Sequence, residues 1–223
     1  MPTLDRQDDV FILDLGDTEN RFHPDWIASL DALLDEVEKA EGPRALVTAA
    51  TGKFWSNGLD LEWLSAHGDR AGAYVTGVQA LLARFLTLPV ATVAALQGHT
   101  FAAGAMLSLA HDLRVMRADR GYWCLPEADI HIPFTPGMSA LIQARLHPQT
   151  AHEAMTTARR YGGSDALAER IVDRTAGEDE VRAAAVALAG PLAGKAGPTL
   201  GTIKTRMYGP ALAALRQEDV PLG

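Results

Sequence analysis

A single cysteine, Cys124, leaves this 223-residue chain unable to form an internal disulfide or a cysteine-based zinc site, and it points to a reducing compartment. Positive charge is also scarce: 20 Lys and Arg stand against 28 Asp and Glu, a formal net charge of −8. That balance argues against general nucleic-acid binding, which needs a basic face to neutralise phosphates. No apolar run approaches the roughly 18 residues of a membrane span. The acidic opening Met1-Pro2-Thr3-Leu4-Asp5 lacks an apolar secretion segment, so a cytoplasmic protein without a membrane span is expected. There is no GxGxxG, no P-loop and no Gly-x-Ser-x-Gly elbow. His99, His111 and His131 share no metal-ligand spacing and read as surface or satisfied structural histidines; no metal is expected.

What the chain does have is alternation. Val10 to Leu15 reads as a strand and Pro24 opens a helix with apolar residues Trp26, Ile27, Leu30, Leu33, Leu34 and Val37 at helical spacing. Gly42-Pro43 stops it, and further strands are expected over Ala45 to Ala50, Val90 to Leu96, Leu113 to Arg117 and Tyr122 to Leu125. Helices are expected over Tyr74 to Leu86 and Ala103 to Ala110, with a poorly patterned stretch before the first of them. Such alternation predicts an α/β fold of right-handed units. From Thr135 the pattern is helical: Gly137 to Leu146, Thr150 to Arg160, Asp165 to Glu169, Glu178 to Leu188 and Pro198 to Leu215. One short strand, Ile171-Val172-Asp173, interrupts it. Nothing divides residues 1–223 into two domains, and the helical part, 137–223, is an expected oligomerisation region.

Two turns carry the chemistry. Phe54-Trp55-Ser56-Asn57-Gly58-Leu59-Asp60 follows the apolar run ending at Ala50, and Gly98-His99-Thr100-Phe101-Ala102-Ala103-Gly104 follows the run ending at Leu96. A strand, a small-residue turn and a helix start leave backbone N–H groups unpaired, where the helix dipole favours negative charge. Two converging N–H groups form an oxyanion hole for a carbonyl that gains charge during reaction. Taken alone, each turn is more often ordinary βα packing; the pair suggests acyl chemistry. Glu127, just past an aromatic and apolar strand, is the candidate general acid/base, since burial there raises a carboxyl pKa. Asp129 is its rival, and a solvated loop glutamate is the plain alternative. Asp112 reads as a structural polar residue. Lys53, Arg84, Lys195, Lys204 and Arg206 are candidate phosphate contacts.

At these residues the chain resembles the enoyl-CoA hydratase/isomerase superfamily, the crotonases. Phe54 to Leu61 is similar to that family's first oxyanion-hole turn. Pro89 to Gly98 and Ala102-Ala103-Gly104 to Arg114 are similar to its second signature, and Asp165 to Asp173 to its "ALxxGLVD" segment. The resemblance implies a crotonase-type ββα spiral with C-terminal helices, assembled as a homotrimer or dimer of trimers. It implies an acyl-CoA substrate and no separate cofactor, coenzyme A being part of that substrate. The oxyanion donors would be the N–H groups of Leu59 and Ala103, with Ser56, Asn57, Gly58, Gly104 and Met106 binding substrate. Of the two glutamates that family hydratases use, the first falls on Met106 and the second on Glu127. A lost first glutamate and a kept second one resemble the Δ3,Δ2-enoyl-CoA isomerases, and Leu125 to Ile130 with Ile132-Pro133-Phe134 is similar to their segment, particularly that of the peroxisomal plant-type branch. The chain has no Ser-Lys-Leu-type address in Val220-Pro221-Leu222-Gly223. Ala102-Ala103 replace glycines common in hydratases, and alanine is expected to suit a helix N-terminus. The implied activity is therefore double-bond isomerisation. The alternatives are another acyl-CoA reaction, such as hydration or decarboxylation, or a non-catalytic acyl-CoA binder. The acyl pocket wall is expected from the loop Leu61 to Ala73 and from helices packed beside it.

Overall fold

The first strand the sequence predicts, β2 (Val10–Asp14), pairs on one side with an antiparallel partner that carries little apolar signal, β1 (Thr3–Gln7). The computed structural model describes residues 1–217, so Val220 to Gly223 and the last part of the region 137–223 lie outside the described residues. Helix α1 (Pro24–Lys39) starts at His23, whose ring accepts from the Asp25 N–H, with Pro24 in the first turn. It buries Trp26, Ile27, Leu30, Leu34 and Val37.

Three successive units then repeat one plan. In the first, β3 (Ala45–Ala49) leads to β4 (Phe54–Ser56), α2 (Leu61–Ala66) and α3 (Ala71–Thr87). In the second, β5 (Ala91–Leu96) leads to β6 (His99–Phe101) and α4 (Ala103–Ala110). In the third, β7 (Leu113–Arg117) leads to β8 (Trp123–Cys124), the single turn α5 (Glu127–Ile130) and α6 (Pro136–Arg145). Strand, short strand, helix is the expected ββα spiral. The long strands join a six-stranded sheet of order β1-β2-β3-β5-β7-β9, and the short ones form a second parallel sheet, β4-β6-β8.

Helices α7 (Pro148–Thr157) and α8 (Gly163–Ala168) precede the edge strand β9 (Arg174–Ala176); α9 (Val181–Ala189), α10 (Pro198–Met207) and α11 (Gly209–Leu215) follow it. Central parallel strands are covered on both faces. Val10, Ile12, Val47, Val93 and Val115 meet Val181, Ala185 and Ala189 of α9. Phe11, Leu13, Leu46, Ala94 and Leu96 belong to the larger core with α1, α3 and α4. Among the described residues no helix is long and apolar enough to cross a membrane.

Several expectations are corrected. The strand expected at Ile171 to Asp173 lies at Arg174–Ala176 instead. Ile171 and Val172 are buried before it, with their N–H groups on the Ala166 carbonyl at 2.8 and 3.1 Å. The expected helix from Pro198 to Leu215 is two helices meeting at Tyr208 and Gly209. The poorly patterned stretch is α2 and a 3₁₀ turn, Gly68–Arg70.

Candidate active site

The short sheet decides where the chemistry gathers. Its three strands run parallel, so their C-terminal ends lie together, the usual place for a ligand at a parallel sheet. From β4 the chain turns through Asn57, Gly58 and Leu59. From β6 it passes through Ala102 into α4, and from β8 through Leu125 and Pro126 to Glu127. Asn57, Leu59, Ala102, Ala103, Met106 and Glu127 all line one cavity of about 200 Å³.

The first turn is braced from behind. Asn20, 2% exposed and in the left-handed region at φ +48°, donates from Nδ2 to the Trp55 carbonyl at 3.1 Å and the Gly16 carbonyl at 3.2 Å. Its own carbonyl accepts from the Ser56 hydroxyl at 2.8 Å, and Ser56 Oγ accepts from the Gly58 N–H at 3.2 Å. The Gly58 carbonyl accepts from the Phe22 N–H at 2.9 Å. In a trans peptide the N–H opposes the C=O, so this bond fixes and polarises the Leu59 N–H on the other side of the same peptide.

The second turn repeats the device. The Ala102 carbonyl accepts the first helical bond of α4, from the Met106 N–H at 3.1 Å, and the Ala103 N–H lies on the other side of that peptide. Among the described residues neither the Leu59 nor the Ala103 N–H has a hydrogen-bond acceptor. The turns touch at Gly58 (φ +82°), where a Cβ would stand 2.9 Å from both Ala102 Cβ and Ala103 N.

The expectation that alanine suits this turn holds for Ala103 but fails for Ala102. Ala102 has φ +51° and ψ −127°, a conformation natural to glycine and costing another residue about 1–3 kcal/mol. Ala102→Gly is therefore expected to stabilise the fold by about 1 kcal/mol, since part of the relieved strain is offset by a freer unfolded chain. Urea unfolding measures it. A loss of similar size would mean that Ala102 Cβ packing on Gly58 outweighs the strain.

Glu127 begins α5 and is buried. Burial pushes its carboxyl up to about 7, partly offset by its own backbone N–H. Among the described residues Oε2 has no hydrogen-bond partner, so one carboxylate oxygen is unengaged in an apolar cavity. Asp129, the rival, is exposed. Met106, where the resemblance leads one to expect a second carboxylate, is 1% exposed and lines the cavity.

Other expectations are redistributed. Ser56, Gly58 and Gly104, expected to touch substrate, stand behind the cavity wall and not on it. A Cβ on Gly104 would lie 2.7 Å from Ser56 Oγ, so these small residues let the two turns pack. Lys204 is buried and paired with Asp112 at 2.6 Å, and Arg84 is shared among Asp31, Asp35 and Glu38; neither is free for phosphate. His111 is buried and satisfied between the Leu107 carbonyl and Thr48 Oγ1, with burial lowering its pKa to about 3. Of the wall expected from Leu61 to Ala73, Leu61 alone lines this cavity. Met138 supplies the expected helical part of the wall from α6, and Phe134 lies on it just before that helix, whereas Arg21 carries no sequence signal for this place. The sequence reading also missed Asn20, whose one sequence cue is that asparagine tolerates positive φ.

Comparison with known proteins follows the same lines. A family model described as enoyl-CoA hydratase/isomerase matches residues 6–218. The chain is 38% identical over 222 residues to the Arabidopsis thaliana protein named enoyl-CoA delta isomerase 2, peroxisomal, covering 93% of this chain and 92% of that one. It is 38% identical over 219 residues to enoyl-CoA delta isomerase 3 of the same plant, covering 93% and 92%. Among solved structures, a probable enoyl-CoA hydratase of Mycobacterium tuberculosis superposes with a TM-score of 0.89 at 27% identity, over 96% of this chain and 91% of that one.

Proposed function

The chain belongs to the enoyl-CoA hydratase/isomerase family, and within it we propose that the protein is an enoyl-CoA isomerase, moving a double bond from the 3,4 to the 2,3 position of a fatty acyl-CoA. The observation that carries this reading is the pairing of one buried carboxylate, Glu127, with a methionine at the second position, Met106, on one cavity wall. Glu127 takes the proton from carbon 2, and the C2–H electrons form the enolate of the thioester. The Leu59 and Ala103 N–H groups hold the enolate oxygen at about 2.7–3.1 Å. Collapse of the enolate makes the 2,3 double bond, while the 3,4 pair takes the same proton from Glu127 at carbon 4. Atoms balance with one base and no water. A carboxyl near pH 7 suits both halves of this shuttle, since a catalytic pKa near the working pH serves acid and base alike.

Hydration, by contrast, adds water across the bond and gains from a second group to place it and pass its proton. Met106 has no transferable proton. Met106→Glu is therefore expected to add measurable hydration of a 2-enoyl-CoA, and to lower stability because it buries another carboxylate. A variant that folds, binds acyl-CoA and still hydrates nothing would contradict this role for the position. The proposal as a whole is tested by incubating the purified protein with a 3-enoyl-CoA. Conjugated 2-enoyl-CoA should accumulate without 3-hydroxyacyl-CoA, and tight binding with no conversion would point to a non-catalytic binder.

A homotrimer or dimer of trimers is the assembly we propose. Ile203 and Met207, one turn apart on α10, stay 53% and 60% exposed in the single chain, which supports an interface there. Light scattering during size exclusion measures the mass. The cytoplasm is the proposed compartment, which the single buried thiol of Cys124 suits.

A further inference from the structure

Ile132, Pro133, Phe134 and Met138 form an apolar stretch of the cavity wall, and it is tied down at both ends. At its start the Ile132 N–H donates to the Glu127 carbonyl at 3.1 Å. At its end Thr135, 1% exposed, caps α6, its Oγ1 accepting from the Met138 N–H at 3.1 Å. The same hydroxyl donates to Gln79 Oε1 at 2.6 Å. Gln79 is fully buried in α3, a helix that also buries Val75, Val78, Leu81 and Leu82, and its Nε2 donates to the Gln217 carbonyl at 3.3 Å. A buried amide in such surroundings is costly unless bonded, and the proposed reaction has no use for it.

We propose that Gln79 and Thr135 are positioning residues for this wall, and that through it they set how the enzyme discriminates acyl groups by length. The inference rests on the acyl-CoA reading of the cavity. Neither side chain lines the cavity, but Thr135 sits between two residues that do, Phe134 and Met138. Because Gln79 Oε1 can only accept, the Thr135 proton must point at it, which leaves an oxygen lone pair for the Met138 N–H. The start of α6 is clamped as well: a Cβ on Gly137 would lie 2.7 Å from Gln79 Oε1 and 2.7 Å from Leu215 Cα. The two candidate N–H donors stand on other elements, and Glu127 meets the wall through its backbone carbonyl at the end away from Thr135, so a displacement at the Thr135 end changes the fit of the acyl group more than it moves the reacting atoms. In an apolar pocket one methylene of fit is worth about 10- to 200-fold.

Binding of saturated, unreactive acyl-CoAs, one short and one long, is measured by calorimetry beside isomerisation of matching 3-enoyl-CoAs. Thr135→Val is expected to change the long-to-short affinity ratio about tenfold; in turnover the change falls on KM, while kcat stays within about twofold. Thr135→Ser keeps the hydroxyl and should restore the wild-type ratio. Gln79→Met removes the other end of the same bond and gives the same readout if Thr135→Val does not fold. A lower melting temperature with an unmoved ratio would overturn the inference and leave these residues merely structural. Wild type that binds neither acyl-CoA would instead overturn the reading of the cavity itself.

Discussion

Glu127→Gln is expected to slow isomerisation at least about a hundredfold, the lower end for general acid/base catalysis, while acyl-CoA binding survives. The amide keeps the shape of the side chain and loses the base. If Asp129 carried the proton, Asp129→Asn would produce the loss and Glu127→Gln would not, but Asp129 is exposed whereas Glu127 is 7% exposed on the cavity wall. The same variant has a stability signature. The folded carboxyl lies near 7 against an ordinary 4.5, so between those values the unfolded chain releases a proton that the folded chain still holds. Folding stability therefore falls as pH rises through about 4.5 to 7, by about 3 kcal/mol at ~1.4 kcal/mol per pKa unit. Below that window the group is protonated in both states and contributes no slope. Glu127→Gln should abolish this part of the slope, so that urea unfolding at acid and alkaline pH differs less for the variant than for wild type. Equal slopes would mean that Glu127 carries no buried-charge cost.

The second large effect belongs to Gly58. Gly58→Ala puts a Cβ 2.9 Å from Ala102 Cβ and Ala103 N, and 3.0 Å from the Phe101 carbonyl oxygen, at φ +82°. Backbone and a rigid methyl cannot give way cheaply, so the two turns must separate and their N–H groups lose the shared geometry. Loss of one oxyanion donor costs about 10²- to 10³-fold in kcat, and that is the expected fall. Gly42→Ala is the control, because φ is +78° there with nothing within 4 Å of the new Cβ. It shares the backbone strain without touching the site. A Gly58→Ala enzyme no slower than the Gly42→Ala enzyme would show that the touching turns do not set the rate.

Much of this arrangement was legible in the sequence because its signals are local. Unbroken small and β-branched runs such as Ala45 to Ala49 and Ala91 to Leu96 can only be buried strands or short core helices, and the glycines beside them decide between the two. The turns at Asn57-Gly58-Leu59 and Ala102-Ala103-Gly104 stood out for the same reason. What escaped reading depends on distant partners. Strands β4 and β6 span three residues each, too short for a periodicity to show, and their pairing sets the site. Lys204 looks like a surface lysine until Asp112, 92 residues away, meets it. Ile171 and Val172 carry a strand-like pattern, yet the Ile171 carbonyl accepts from Arg114 Nε at 2.6 Å, and the sheet pairing starts only at Arg174. Asn20 has no motif at all. Its role comes from the turn it braces.

The most direct measurement runs isomerisation of a 3-enoyl-CoA beside hydration of a 2-enoyl-CoA on the same wild-type preparation, across the pH range around neutrality. A base must be ionised to start the reaction, so kcat/KM for isomerisation should rise with pH to a plateau above about 7, where the Glu127 carboxyl titrates. Isomerisation should exceed hydration throughout. Hydration faster than isomerisation, or an isomerisation rate that ignores pH across that range, would contradict a single buried glutamate carrying the proton from carbon 2 to carbon 4.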